Sequence, residues 1–236
     1  MIAILDFDRT MTGCFLPDGG RGTSAHGIME GCPALSQAFR DRAQECSERY
    51  FPIEIDKDMP IQEKIPIMNE WYGTMHKLMV EDGHMTKAAI KESVAGCKTC
   101  QLRPGMEDFL RICQESTPPI PVLVMSAGLG DVIDEFLALT LPFRLAPSTM
   151  VVSNRMEFDQ AGKLSGFSEP LLHMFNKTAA FLPEAALELA KGKTHCLLLG
   201  DGVGDLTMAD GLNVSETLKV GFLNEQVEAK LQQYSE

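Results

Sequence analysis

The sequence lacks any apolar run long enough to cross a membrane. A spanning helix needs roughly 20 apolar residues, and no hydrophobic segment here approaches that length. The apolar stretch from Met1 to Leu5 meets Asp6 too early to serve as the core of a signal peptide. We therefore expect a cytoplasmic protein with no membrane partner.

Basic residues are scarce and scattered. The 236-residue chain has 21 Lys and Arg against 33 Asp and Glu, a formal net charge of -12 at pH 7. Nucleic acid polymers and anionic membranes are held by clustered Lys and Arg, and the sequence contains no such cluster. These partners are excluded. A small anionic ligand remains compatible with the charge if a metal ion and a few placed cations overcome the acidic field locally.

The cysteine pattern favours reduced thiols. The seven cysteines are an odd count in a chain too large to need a disulfide framework. Cys97 and Cys100 form the only close pair, which could be half of a zinc site or a redox motif. No second Cys or His pair follows at a ligand-like spacing. The simplest interpretation is two thiols at a helix end.

Short apolar runs that end in polar or small residues are typical of buried parallel strands whose carboxyl ends carry function. Helix-compatible sequence lies near each run, which predicts an α/β fold with a Rossmann-like doubly wound parallel sheet. The predicted strands are Ile2 to Phe7, Val122 to Met125, Cys196 to Leu199 and Leu218 to Phe222.

Residues 13–103 have helical periodicity and little strand signal, so we interpret them as a mostly helical insertion between core segments 1–12 and 104–236. Its predicted helices are Ser36 to Glu48, Ile61 to Val80 and Thr86 to Ala95. Beyond it, a short hairpin is predicted from Met156 to Phe158 and from Lys163 to Ser165, with Gly162 at a turn position.

Acidic residues follow two predicted strands. Asp6 and Asp8 share one face if the strand geometry continues through Phe7, although such a pair alone is more often a turn former or a helix cap. Asp201 and Asp205 follow another strand. Carboxylates gathered at neighbouring strand ends repel one another unless a cation lies between them, and Mg²⁺ suits oxygen ligands of this kind.

Two further positions could contact an anion. Ser126 and Ala127 follow a predicted strand, where a hydroxyl and free backbone amides near a helix start could hold an oxyanion. Lys177 is a second candidate. Each observation is weak alone, since small residues are common after strands and a lone lysine usually faces solvent.

In combination, the motifs Asp-x-Asp-x-Thr, strand-Ser, Lys and Gly-Asp-x-x-x-Asp occur in the order found in the haloacid dehalogenase superfamily. Longer runs make the resemblance more specific: nearly the whole chain resembles the cytosolic pyrimidine 5′-nucleotidase family, the type III cytosolic 5′-nucleotidases. The runs are Phe51 to Asp56, Glu70 to Tyr72, Ser126 to Asp131, Val151 to Asn154, Leu199 to Gly211 and Lys219 to Asn224.

This resemblance implies a 5′-nucleotidase that hydrolyses pyrimidine nucleoside 5′-monophosphates, CMP and UMP, through an aspartyl-phosphate. Asp6 is the implied nucleophile, and Asp8 is the general acid and then the base for water. The implied Mg²⁺ is bound by the carboxylates of Asp6 and Asp201 and the backbone carbonyl of Asp8, with Asp205 orienting them.

The remaining implied contacts are with the substrate. Ser126 and the amide of Ala127 hold the phosphate, and Lys177 neutralises charge between the phosphate and Asp6. The insertion 13–103 becomes a cap that closes over the strand ends and selects the nucleobase. Glu54 in the cap accepts from a base amino group, although composition alone favours a surface residue on an extended segment.

Aromatic residues of the cap are candidates for stacking on the base. These are Phe15, Trp71 and Tyr72, although aromatic residues at such positions are more often part of the core. Three departures from the family pattern are visible. Met75 replaces an expected hydroxyl residue, which affects the expected base or phosphate selectivity. Gly202 replaces a serine, and a further strand and helix are expected after Glu236 in full-length relatives.

Other functions remain open from the sequence. One is a related phosphatase or phosphotransferase for another phosphomonoester, including 7-methylguanosine monophosphate. A non-catalytic phosphate-binding or signalling module is disfavoured, because a receiver domain has no general acid at the position of Asp8. A catalytically inactive relative is disfavoured because every catalytic position is filled. A monomer is favoured, and the oligomeric state is otherwise open.

Overall fold

The chain folds around one five-stranded parallel sheet, with a separate two-stranded hairpin. The computed structural model describes residues 1–235. The strands are β1 (Ile2–Leu5), β2 (Val122–Leu129), β3 (Thr149–Asn154), β4 (Met156–Phe158), β5 (Leu164–Phe167), β6 (His195–Gly200) and β7 (Glu216–Gly221). The α-helices are α1 (Ala25–Glu30), α2 (Gln37–Ile55), α3 (Ile61–Asp82), α4 (Lys87–Gly96), α5 (Met106–Glu115), α6 (Gly130–Thr140), α7 (Glu184–Ala190) and α8 (Val227–Ser235).

The sheet order is β3-β2-β1-β6-β7, and each neighbouring pair is parallel. At the end of the central strand β1, Leu5 pairs with Val124 of β2 on one side and with Leu199 of β6 on the other. The carboxyl ends of β1, β2 and β6 therefore meet at one edge of the sheet. The fold class predicted from the sequence is confirmed.

Apolar side chains on both faces of the sheet form its core. Ala3 and Leu5 of β1 belong to one buried cluster, and Ile2 and Ile4 belong to another. Successive side chains of a strand point to opposite faces, so an uninterrupted apolar run is what a strand covered on both faces requires. Burying one Leu or Ile side chain contributes about 1.5–3 kcal/mol, which makes β1 a rigid base for the residues that follow it.

Helices α1 to α4 lie within residues 13–103, which we call the predicted cap. The side chains of Ser24, Ser36 and Thr86 accept backbone N–H groups at the starts of α1, α2 and α4. Gly83, with φ of 73°, ends α3. Helix α1 packs on β2, α4 on α6, and α3 on β5, so the predicted cap lies directly against the sheet and its helices.

Several local predictions differ from the structure. Strand β1 ends at Leu5, because the chain makes a wide turn over Phe7–Met11 instead of staying extended. Strand β7 is parallel as predicted but is not buried: Leu218 is 66% exposed because β7 is an edge strand with β6 as its one neighbour. Strand β3 was not predicted.

The cysteines are free thiols, as expected. Cys97 lies just after α4, and Cys100 is buried beyond it; neither belongs to a potential metal-binding group within residues 1–235. No helix in the described part of the chain combines the length and the apolar character that crossing a bilayer requires.

Candidate active site

Asp6 stands at the end of β1, where a wide turn begins. Its backbone N–H donates to the carbonyl of Leu199 at 3.0 Å, which continues the pairing with β6. Thr12 closes the turn, because its N–H donates to the carbonyl of Phe7 at 3.1 Å. This geometry places the buried carboxylate of Asp6 at the carboxyl edge of the sheet.

Lys177 joins two of the predicted site carboxylates. Its Nζ lies 2.5 Å from Oδ1 of Asp6 and 2.8 Å from Oδ1 of Asp205, and all three side chains are buried. Burial by itself lowers the pKa of Lys177, but the carboxylates of Asp205 and Asp6 raise it on balance. The ammonium is therefore charged, and two of its three N–H donors are directed to carboxylates.

The loop after β6 holds Asp205 in place. Its Oδ2 accepts the backbone N–H groups of Asp201 at 3.1 Å and Gly202 at 3.0 Å, while its Oδ1 faces Lys177. A Cβ atom at Gly200 would lie 2.4 Å from the Cβ of Asp205, so this close approach requires glycine. The orienting role implied for Asp205 is compatible with these contacts.

Carboxylate oxygens of Asp6, Asp201 and Asp205 lie within 4.8 Å of one another. Burial raises the pKa of Asp6, and the ammonium of Lys177, which lowers it, offsets only part of this rise. Burial, followed by the neighbouring charge of Asp205, raises the pKa of Asp201 to about 6. One ammonium does not balance this buried negative charge. A hard divalent cation with oxygen ligation fits the cluster, and Mg²⁺ has that preference.

Asp8 is held apart from this cluster. Its Oδ1 accepts the backbone N–H of Ala25, the first residue of α1, at 2.8 Å. Burial raises its pKa to about 6, and the hydrogen bond from Ala25 opposes that rise. Within residues 1–235, the side chain of Asp8 is not part of the potential metal-binding group. Asp6 and Asp8 thus occupy chemically different positions.

The predicted phosphate contacts lie in the last part of β2, which continues past the predicted end at Met125 to Leu129, with an irregular pairing to β3 between these two residues. The hydroxyl of Ser126 is buried and accepts the N–H of Gly128 at 3.0 Å. The side chain of Asn154 donates to the carbonyl of Ala127 at 2.8 Å and accepts from the N–H of Leu172 at 2.8 Å. Asn154 therefore ties the end of β2 to the segment that leads to Lys177.

Glu54 lies in the last turn of α2, so the alternative of an extended segment does not hold. Burial raises its pKa to about 7, while the charges of Arg9 and Lys64 oppose that rise. Nζ of Lys64 donates to the backbone carbonyl of Glu54 at 2.9 Å. Burial and the carboxylate of Glu54 raise the pKa of Tyr72, and Asp8 and Asp6 add to that effect. The negative charges of Glu54 and of the strand-end carboxylates therefore all act on the phenol of Tyr72.

The predicted stacking residues do not all lie together. Trp71, Tyr72 and Met75 of α3 line a cavity of about 140 Å³ together with residues of α1 and α2. Trp71 also stacks on Tyr50, with ring centroids 5.7 Å apart. Phe15 is 50% exposed, and within the described part of the chain its ring makes no aromatic contact. Neither Phe15 nor Glu54 lines the cavity.

Two residues that support the strand ends were not predicted from the sequence. Nδ2 of Asn224 lies 3.4 Å from Oδ2 of Asp201 and 3.0 Å from the carbonyl oxygen of Arg9. The guanidinium of Arg103 donates to the carbonyls of Arg9 and Thr10 and to Oδ1 of Asn224. Asn224 could have been predicted, because it is a polar residue that follows β7 at the carboxyl edge of the sheet. The sequence around Arg103 contains no comparable pattern.

Comparison with known proteins adds an independent line of information. Residues 9–236 match the pyrimidine 5′-nucleotidase (UMPH-1) family. The 7-methylguanosine phosphate-specific 5′-nucleotidase of Mus musculus is 36% identical over 233 residues, which are 98% of this chain and 75% of that protein.

Two solved structures are also similar. Cytosolic 5′-nucleotidase IIIB bound to cytidine has a TM-score of 0.88 at 34% identity, covering 99% of this chain and 77% of that one. A HAD family hydrolase from Salmonella enterica has a TM-score of 0.52 at 15% identity, covering 96% of this chain and 69% of that one. The second similarity concerns the fold alone.

Proposed function

This chain belongs to the pyrimidine 5′-nucleotidase family, and from that premise we propose that it is a Mg²⁺-dependent enzyme that releases phosphate from CMP and UMP in the cytosol. The resemblance found in the sequence is confirmed by the family match. The chain is a phosphoric monoester hydrolase of the 5′-nucleotidase type, as are its relatives. The nucleobase, the metal and the roles of individual residues are our proposals.

The arrangement of Lys177 between Asp6 and Asp205 is the observation that carries the proposed chemistry. It fixes one carboxylate oxygen of Asp6 at 2.5 Å from Nζ and leaves the other for attack on phosphorus. Attack forms an aspartyl-phosphate and expels the ribose 5′-oxygen. Asp6, Asp201 and the backbone carbonyl of Asp8 would bind Mg²⁺, with Asp205 as orienting residue, and the ion would supply positive charge to the phosphate.

Asp8 is suited to the proton transfers. Its pKa of about 6 lies close to neutral pH, where a carboxyl group can both donate and accept a proton effectively. It protonates the departing ribose oxygen in the first step. It then takes a proton from the water that hydrolyses the aspartyl-phosphate, which returns Asp6 and releases phosphate. Ser126 and the amide of Ala127 hold the phosphate oxygens during both steps.

Glu54 is the proposed contact of the base amino group. Two cations, Arg9 and Lys64, act on this carboxylate from the core and from α3. A neutral cytosine can donate its amino group to Glu54 without adding a third positive charge. The match to the pyrimidine 5′-nucleotidase family supports pyrimidine nucleotides as the substrates, with Tyr72 and Trp71 as candidate stacking residues and Phe15 as a third.

A second candidate substrate is 7-methylguanosine monophosphate. The observation that favours it is the name of the Mus musculus relative, which covers 98% of this chain. Met75, where the resemblance leads us to expect a hydroxyl residue, lines the same cavity as Tyr72. A longer apolar side chain at this position alters the room available to the base.

A phosphate-release assay across nucleotides tests the proposed function. The panel is CMP, UMP, AMP, GMP, their deoxy forms and 7-methylguanosine monophosphate, each with Mg²⁺ and with a chelator. We expect the highest kcat/KM for CMP and UMP, and loss of release when Mg²⁺ is removed. Absence of metal-dependent release from every nucleotide would disprove the proposal. Preference for 7-methylguanosine monophosphate would establish the second candidate.

Replacing Glu54 with glutamine is expected to change the ranking of bases more than the maximal rate. The neutral amide accepts more weakly from the cytosine amino group, but it can donate to the uracil carbonyl at the same position. We expect the ratio of kcat/KM for UMP over CMP to rise by about tenfold, equivalent to about 1.4 kcal/mol. Steady-state kinetics with both nucleotides measure this ratio.

Glu45→Gln is the matched control, because Glu45 is an exposed residue of the same helix α2. It removes the same charge from the same helix and should leave the ratio unchanged. An unchanged ratio in Glu54→Gln would remove Glu54 from base recognition.

A further inference from the structure

Arg9 has an unusual backbone conformation for its residue type. It follows Asp8 directly and has φ of 63° and ψ of 3°, in the left-handed region. Residues with a Cβ adopt this region at an energetic cost that glycine avoids. Strained positions of this kind concentrate at functional sites. Glycine would adopt this conformation without strain, so the presence of arginine indicates that its side chain has a function.

The backbone of Arg9 is fixed by a residue of its own turn and by two other segments of the chain. Its N–H donates to Oγ1 of Thr12 at 2.9 Å. Its carbonyl accepts from Nη2 of Arg103 at 2.6 Å and from Nδ2 of Asn224 at 3.0 Å. The direction in which the side chain leaves the turn is therefore set before any ligand binds.

The guanidinium of Arg9 is half-buried, and within residues 1–235 it has no hydrogen bond and no ion pair. Its charge nevertheless acts on acidic groups of both the strand ends and the predicted cap, namely Asp8, Asp201 and Glu54. It also acts on Glu225, which already pairs with Arg21. The side chain thus lies beside the candidate active site with its hydrogen-bonding capacity unused.

Lys177, the other cation of the site, is placed differently. Its Nζ is already bonded to Asp6 and Asp205, so most of its charge offsets carboxylates. An anionic phosphate entering a cluster of buried carboxylates, in a chain of formal net charge -12, needs further positive charge. A guanidinium with free donors is the group best matched to phosphate oxygens.

We propose that Arg9 is a substrate-binding residue that contacts the phosphate group of the nucleotide, as a second protein cation besides Lys177. The proposal rests on the proposed function for its substrate class. A phosphate contact gives Arg9 a selective effect, because the nucleoside product lacks the phosphate. Arg9 then favours binding of the nucleotide over binding of the nucleoside, which limits inhibition by the nucleoside product.

The test compares Arg9→Met, Arg9→Lys and wild type. For each protein, kcat and KM are measured with CMP and with p-nitrophenyl phosphate, and Ki is measured for cytidine. We expect Arg9→Met to raise KM for both phosphate esters by about tenfold, the effect of losing one charge-assisted hydrogen bond. Arg9→Lys should restore part of this loss. Ki for cytidine should stay within a factor of about two.

Arg42→Met is the matched control. Arg42 is an exposed residue of α2, and its guanidinium lies 3.5 Å from Glu81. The substitution removes the same charge from the chain and should leave every constant unchanged. Should Arg9→Met fail to fold, Arg9→Gly replaces it, because glycine accepts the positive φ without strain.

Two results would overturn the proposal: an unchanged KM for both phosphate esters, or a rise in Ki for cytidine that parallels the rise in KM. The second result would place Arg9 on the nucleoside. Failure of the proposed function is a separate outcome, namely that wild type cleaves p-nitrophenyl phosphate but no nucleotide. If wild type cleaves neither p-nitrophenyl phosphate nor a nucleotide, the affinity for inorganic phosphate is measured by calorimetry with Mg²⁺ present. Equal affinity in wild type and Arg9→Met would contradict the phosphate contact.

Discussion

Asp6→Asn is expected to abolish phosphate release from every nucleotide, by at least about four orders of magnitude in kcat. An amide of the same shape cannot attack phosphorus, and no other group replaces the lost nucleophile. The fold should persist, because Lys177 keeps its contact with Asp205 at 2.8 Å. The substitution also removes one of the carboxylates that crowd the strand ends, so the free energy of unfolding without metal should not fall.

The measurements for Asp6→Asn are phosphate release with Mg²⁺ and chemical denaturation with a chelator. Acid quenching during turnover of substrate labelled in the phosphate adds a direct observation, since label should remain on wild-type protein and be absent from the variant. Asp108→Asn is the control, because the side chain of Asp108 is 69% exposed on α5 and distant in sequence from the strand ends. Full activity of Asp6→Asn would mean that another residue is the nucleophile.

The acidic strand ends are the part of the site that sequence reasoning could place. Asp6 and Asp201 each follow an uninterrupted apolar run, and parallel strands bring their carboxyl ends to one edge of a sheet. That general rule predicts the proximity seen among Asp6, Asp201 and Asp205. It requires no knowledge of side-chain packing, which is why it succeeds.

The position of Lys177 could be predicted from family resemblance alone. Its approach to Asp6 spans 171 residues of sequence separation, and the local run around it contains no strand or helix that would fix it. Instead, Asn154 and Asn176 hold the preceding segment by side-chain hydrogen bonds to the backbone at Leu172 and Leu171. Contacts of this kind have no periodic signature in a sequence.

The region around Glu54 shows how local signals can mislead. Composition alone favours a surface residue on an extended segment here, and Pro52 and the β-branched Ile53 and Ile55 disfavour a helix interior. The structure continues α2 through them to Ile55. At the end of the helix, Lys64 of α3 donates to the carbonyls of Glu54 and Asp56. A tertiary contact thus satisfies carbonyl groups that no residue of α2 itself can satisfy.

Lys177→Met is expected to have the largest effect on stability of any single substitution in the site. Methionine has a similar length but no charge, so Asp6 and Asp205 would face each other without a cation between them. Removing one partner of a buried ion pair costs about 3–5 kcal/mol in the free energy of unfolding. Phosphate release should also be lost, since the carboxylates would be left to repel the substrate. Denaturation in the presence of a chelator measures the first effect.

Mg²⁺ provides the decisive comparison for Lys177→Met. A divalent ion bound by Asp6 and Asp201 would supply part of the missing positive charge, so the loss of stability should be smaller with Mg²⁺ than with a chelator. Lys77→Met is the control, because Lys77 is 76% exposed and pairs with Glu81 at 3.7 Å; it should cost at most about 1 kcal/mol under both conditions. If Lys177→Met lost the same stability with and without Mg²⁺, the carboxylates beside Lys177 would not be the metal ligands we propose.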